Sequence, residues 1–168
     1  MKKSLNFILL NGAIGSGKST IADILEKKLK RTAILEIEDI RKLVSDFKQG
    51  EEDNALAWKI IYRMCDEYFK NGVSVLLKQT VCSQEMVNSF LRLAKKHKCT
   101  IGFYHLQAPR NVLLERIKKR QKIRKVSKIL INRSIEKHEK INYTQATIID
   151  TSEMKPSEVA VFILKGLK

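Results

Sequence analysis

The sequence predicts an α/β fold of three layers: a parallel five-stranded sheet between two layers of helices, in one domain. Three observations predict it. Short apolar runs of strand length alternate with segments of helical periodicity along the whole chain, with no repeats, low-complexity tracts or linker. A glycine-rich turn joins the first run directly to the first helical segment. The 168 residues, 43% hydrophobic and 30% charged, suit one globular domain with a sizeable core.

The elements follow in order. Residues 5–10, Leu-Asn-Phe-Ile-Leu-Leu, read as a buried parallel strand, and residues 20–29 place apolar side chains at helical spacing. Residues 32–37 are expected as a second strand and 39–47 as a helix. The polar stretch 49–54 is expected as a break, and a longer amphipathic helix then runs to about residue 70. There Asn71-Gly72 supplies a C-cap. Residues 73–77 are expected as a third strand, 83–97 as a helix and 100–106 as a fourth strand. Pro109 opens a basic helix that runs past Arg120, and residues 124–140 continue the helical pattern. Residues 146–149 are the last strand, and Pro156 opens a closing helix. Such alternation implies right-handed crossovers, with ligands beyond the carboxyl ends of the strands. Trp58 lies at helical spacing on the long helix and reads as core.

Residues Gly12, Ala13, Ile14, Gly15, Ser16, Gly17, Lys18 and Ser19 satisfy the phosphate-loop pattern G-x-x-x-x-G-K-[ST], and Thr20 follows in the helix. Glycines permit positive φ and close backbone approach, so successive N–H groups can converge on a phosphate, aided by the positive end of the helix. Lys18 is placed to reach the β- and γ-phosphates, and the Ser19 hydroxyl to ligate Mg²⁺. The fold expected is therefore a three-layer α/β/α P-loop NTPase fold that binds ATP and Mg²⁺.

The second strand ends Leu35-Glu36-Ile37-Glu38-Asp39-Ile40-Arg41. In an extended segment Glu36 and Glu38 share one face, at the sheet edge where phosphates are expected. An acid there can take a proton from an attacking hydroxyl or hold Mg²⁺ through water, and Arg41 can orient an acceptor. The third strand ends Leu77-Lys78-Gln79-Thr80 without a carboxylate.

The net charge of +15 is concentrated between Arg110 and Lys140, where twelve Lys and Arg face only Glu115, Glu136 and Glu139. Such a block attracts polyphosphate and equally a nucleic-acid backbone. Cys65, Cys82 and Cys99 are isolated, with no metal-type spacing, and read as reduced thiols of a cytoplasmic protein. No apolar run is long enough to span a bilayer, and Met1-Lys2-Lys3 leads straight into the first strand, leaving no room for a signal peptide.

With these motifs the chain resembles the small P-loop kinases related to nucleoside monophosphate kinases. It is most similar to the branch that phosphorylates hydroxyl acceptors: polynucleotide 5′-hydroxyl kinases, zeta-type toxins, and gluconate, shikimate and chloramphenicol kinases. Glu38-Asp39-Ile40-Arg41 fits that branch's acid-x-x-Arg, with glutamate for the usual aspartate. The resemblance implies Glu38 as general base and Arg41 as a substrate or phosphate contact. The run from Leu106 to Arg120 looks like the entry to the family's lid (about residues 117–140 here), which implies that Arg116 and Arg120 clamp phosphates. The stretch from Ile149 to Val159 is similar to the family's last strand and adenine turn. Gln79 stands where polynucleotide kinases often carry aspartate. The guanine-reading Asn-Lys-x-Asp and the transporter signature Leu-Ser-Gly-Gly-Gln are absent.

Three functions fit: an ATP-dependent phosphotransferase acting on a small-molecule hydroxyl or phosphate, a polynucleotide 5′-hydroxyl kinase using the basic lid, or a non-catalytic ATP-binding regulator.

Overall fold

A computed structural model of the chain describes residues 4–48, 51–80, 83–121 and 126–167. Along it run β1 (Asn6–Gly12), α1 (Lys18–Glu26), β2 (Thr32–Leu35), α2 (Ile37–Lys42), α3 (Glu51–Lys70) and β3 (Ser74–Lys78). They are followed by α4 (Gln84–Lys96), β4 (Thr100–Gln107), α5 (Arg110–Gln121), α6 (Lys128–Lys140), β5 (Thr147–Asp150) and α7 (Pro156–Lys165). The strands make one parallel sheet in the order β2-β3-β1-β4-β5, the expected α/β architecture.

Sheet alternation sorts the core into two layers. Ile8 and Leu10 of β1, Leu76 of β3 and Leu106 of β4 face α1 and α7, where Ile21, Leu25, Val159 and Ile163 cover them. Phe7 and Leu9 of β1, Leu77 and Phe103 face the other way, onto Ile61 and Cys65 of α3 and Phe90 of α4. Trp58, half-buried, packs edge-on against Phe90 at 6.0 Å at the margin of this core. A third, smaller cluster joins Ala13 to Leu113 and Ile117 of α5 and Ile131 and Ile135 of α6. It seats α5 and α6 on the phosphate loop. No helix among the described residues is long and apolar enough to cross a membrane.

Local chemistry sets the boundaries. Ser83 caps α4 and Ser127 caps α6, their hydroxyls accepting from Met86 N at 3.4 Å and Leu130 N at 3.3 Å. Pro156 opens α7, and the Glu158 carboxylate accepts from Lys155 N at 2.8 Å. Gly72 follows α3 with φ +69°, the left-handed turn expected after its C-cap.

The second strand departs from expectation. β2 stops at Leu35, and Ile37 already begins α2, which ends at Lys42 rather than at residue 47. Ile37 and Ile40, three apart, are both buried, so helical periodicity takes over where two-residue alternation was expected. The polar stretch expected as a break over 49–54 is helical from Glu51 onward, while Gln49 and Gly50 lie outside the described residues.

Candidate active site

β1 delivers the chain to the carboxyl edge of the sheet, where Gly12, Gly15 and Gly17 take φ values of +149°, +89° and +95°. Side chains are excluded from the first two by space as well as by φ. A Cβ at Gly12 would stand 2.5 Å from the Leu106 carbonyl oxygen, and one at Gly15 2.9 Å from that of Leu113. Ser16 N donates back to Ala13 O at 3.2 Å, tightening the loop, and α1 starts at Lys18 with no acid in its first turn. Lys18 Nζ donates to Gly12 O at 2.7 Å and Ala13 O at 2.9 Å, so it spans the loop's own carbonyls. The Thr80 hydroxyl donates to Gly12 O at 3.1 Å from the end of β3.

This donor set fits a polyphosphate: backbone N–H groups, a helix N-terminus and a lysine, with no carboxylate in the helix's first turn. Among the described residues no three His, Cys, Asp or Glu side chains are grouped to hold a metal ion. That fits Mg²⁺ only as an ion carried mainly by phosphate oxygens, with the half-buried Ser19 hydroxyl in α1's first turn as the protein's contribution.

The second-strand acids do not share one extended face. Glu36, extended at φ −134° and ψ 134°, stands at the N-cap position of α2 without a side-chain capping bond, and its carboxylate pairs with Lys78 at 3.1 Å. Glu38 lies in α2's first turn, so helical geometry turns it away from Glu36's strand-like direction. Arg41, one turn on, meets Glu38 Oε2 at 3.4 Å, donates to Asn54 Oδ1 on α3, and lies 5.6 Å over the Phe47 ring. Glu38, Arg41 and Asn54 thus form one polar cluster. Gln79 contributes its backbone, donating to Leu10 O at 3.0 Å.

Arg116 and Arg120 sit one turn apart on α5 with different surroundings. Arg116 donates to Thr151 Oγ1 at 3.0 Å and to Thr151 O at 2.6 Å. The Thr151 hydroxyl in turn lies 3.3 Å from Ser16 O and 3.0 Å from Gln107 O. This network ties α5, the turn after β5 and the phosphate loop together. Arg120 is exposed. Lys122, Arg124 and Lys125 of the basic block lie outside the described residues.

Beside the loop, a cavity of about 450 Å³ opens between the ends of β4 and β5 and α6, lined by Ala13, His105, Gln107, His138, Glu139 and Asp150 among others. His105 of β4 and His138 of α6 are buried and stack at 5.1 Å, and none of their ring nitrogens has a hydrogen-bond partner. Burial, followed by the charge of Lys18, lowers His105 to about 4. Burial, then His105, Lys18 and Lys137, lowers His138 to about 3.

Sequence reasoning missed Thr151, Ser134 and the histidine pair. Thr151 carried a positional signal, since it directly follows the last strand at the edge where ligands gather. The others reach the site by contacts such as Ile14 N to Ser134 Oγ, 120 residues apart, which no local pattern encodes.

Residues 7–141 match the family described as AAA domain. None of the curated proteins matches the sequence. The fold is similar to that of an unliganded sugar kinase from Janibacter sp. HTCC2649, with 18% identity, 97% of this chain and 94% of that chain covered, and a TM-score of 0.70. It is also similar to the Mycobacterium tuberculosis APS kinase CysC in complex with AMPPNP and APS, with 15% identity, 98% of each chain covered and a TM-score of 0.71. A chain of the Pnkp1/Rnl/Hen1 RNA repair complex gives 20% identity and a TM-score of 0.70, over 92% of this chain and 52% of that one. With that match over most of its length, the chain belongs to the AAA domain family.

Proposed function

We propose that the protein is an ATP-dependent kinase that moves the γ-phosphoryl group of ATP to a hydroxyl or phosphate of a small molecule. The observation that carries this reading is the phosphate loop itself: three positive-φ glycines, Lys18 and an α1 N-terminus free of acids at the sheet's carboxyl edge. The family match and the nucleotide analogue in the similar APS kinase support it.

In this reading the loop N–H groups and Lys18 hold the β- and γ-phosphates, and Lys18 exchanges the carbonyls of Gly12 and Ala13 for phosphate oxygens. Gly12, Ala13, Ile14, Gly15, Ser16, Gly17, Ser19 and Thr20 complete the nucleotide site. The acceptor oxygen forms a bond to the γ-phosphorus as the bond to the β–γ bridging oxygen breaks, and ADP leaves with that electron pair. The hydroxyl proton passes to Glu38, which Arg41 holds in place while Asn54 fixes Arg41. Arg116 and Arg120 face charge that develops on the transferring group once the lid closes, and closure excludes water. Mg²⁺, when bound with the nucleotide through Ser19, neutralises phosphate charge. Free thiols such as Cys65 and Cys99 suit a cytoplasmic location, where they stay reduced.

A nucleic-acid end as acceptor is favoured by the basic surface of α5 and α6 within a chain of net charge +15. The similarity to a chain of an RNA repair complex points the same way. Acceptor-stimulated ADP release from ATP–Mg²⁺ tests both readings across nucleosides, nucleotides, sugars and 5′-hydroxyl oligonucleotides. A response to one class, lost in Lys18→Ala and reduced about 100-fold or more in Glu38→Gln, supports the kinase. An oligonucleotide response that falls steeply with salt selects the second reading. Tight ATP binding with no response to any acceptor overturns catalysis and leaves a nucleotide-binding regulator.

A further inference from the structure

Three consecutive residues of the phosphate loop touch the lid base, each by a different kind of contact. Ala13 packs into the apolar cluster of Leu113, Ile117, Ile131 and Ile135. Gly15 approaches α5 so closely that a Cβ there would meet Leu113 O at 2.9 Å and Ile117 Cγ1 at 3.0 Å. Between them, the Ile14 backbone N–H donates to the Ser134 hydroxyl of α6 at 3.0 Å. Ser134 is 8% exposed and is flanked on its helix by the buried Ile131, Ile135 and His138. A polar side chain buried on that apolar face costs desolvation unless it is hydrogen-bonded. The Ile14 peptide supplies its partner.

The rest of the loop is held from other directions. Lys18 and Thr80 hold Gly12 O, and the Thr151 hydroxyl lies beside Ser16 O. Ser134 therefore grips the segment between Gly12 and Ser16 from the side of the lid.

We propose that Ser134 is a positioning residue for the phosphate loop: by accepting from the Ile14 N–H it makes the lid helix α6 set the loop's binding shape. It touches no reacting atom and acts through the backbone of Ile14 and Gly15. This role presupposes the nucleotide site proposed above. A loop deprived of that acceptor has an unsatisfied N–H and a wider choice of conformations, so it binds phosphate less well.

The test is calorimetric titration of ADP–Mg²⁺ and AMPPNP–Mg²⁺ into the wild-type protein, Ser134→Ala and Ser134→Thr, with thermal melts and steady-state kinetics alongside. Ser134→Ala is expected to weaken both ligands about 5- to 30-fold, the loss of one buried hydrogen bond. Its KM for ATP should rise while kcat changes less than about twofold. Ser134→Thr, which keeps the hydroxyl, should restore affinity to within about twofold of wild type. A merely structural serine would lower the melting temperature and leave the KM-to-kcat split unmoved. Wild-type binding with unchanged affinity in Ser134→Ala overturns the proposal. Failure of the wild-type protein itself to bind either nucleotide overturns the nucleotide site, and this role with it. Hydrogen exchange on the wild-type chain covers an alanine variant that does not fold: a slowed Ile14 amide supports the bond, and a fast one overturns it.

Discussion

Acidification is expected to loosen the lid base from the sheet, because the contact between α6 and β4 is made by two neutral imidazoles. His105 and His138 stack at 5.1 Å with no polar partner, and the positive charges nearest them are Lys18 on the loop and Lys137 on α6. Tyr143 packs its ring against His105 at 5.2 Å. A proton on either ring enters an apolar site beside cations, so the folded protein keeps both rings neutral well below 6.5, to about 4 for His105 and about 3 for His138. The unfolded chain takes up those protons as pH falls through 6.5. Stability is therefore undiminished at pH 7.5, is lost as pH falls from about 6.5 toward 4, and levels off below the folded values. At pH 5, 1.5 pH units below 6.5, each imidazole costs about 2 kcal/mol at 1.36 kcal/mol per unit, or about 4 kcal/mol for the pair.

That is a large share of the ~5–15 kcal/mol by which a domain is stable. Urea denaturation at pH 7.5 and pH 5.0 measures it directly. His138→Leu, which fills the space with an apolar side chain, should halve the difference between the two pH values. Asp66, lowered to about 2 chiefly by Lys70 and His97, loses its contribution at pH values below this window. A pH difference that is the same in His138→Leu as in wild type would refute the reasoning.

Two other substitutions probe the loop's surroundings. Gly15→Ala forces a side chain into φ +89° and against the Leu113 carbonyl, so it should cost roughly 1–3 kcal/mol in urea denaturation and weaken nucleotide binding together. Arg116→Lys keeps the charge and loses the paired contacts to Thr151 O and Oγ1. A melting temperature lowered by roughly 3–6 °C is expected, with no loss if Arg116 only decorates the surface.

What the sequence makes legible is what short-range chemistry encodes. The phosphate loop is a local motif whose glycines, lysine and flanking strand and helix lie within one short stretch, and the alternation of elements follows from apolar periodicity. The stretch from Leu35 to Arg41 marks the limit of that code. Glu36 and Glu38 look like a strand pair because their spacing fits a period of two, yet Ile37 and Ile40 pack on the same core and impose the helix. Burial decides between two periods that a short segment satisfies equally. The arginines show the same limit at longer range. The four-residue spacing of Arg116 and Arg120 fixes their shared face of α5, but only β5's place at the sheet edge brings Thr151 within reach of Arg116. The lid contacts are the least legible, since Ser134, His138 and Ile135 meet Ile14, His105 and Ala13 only after the sheet order β1-β4-β5 has brought the lid base back over the loop. The loop's identity is thus local, while its shape is tertiary. Transplanting residues 12–19 alone onto another strand–helix junction would carry the motif without the contacts that hold Ala13, Ile14 and Gly15 in place.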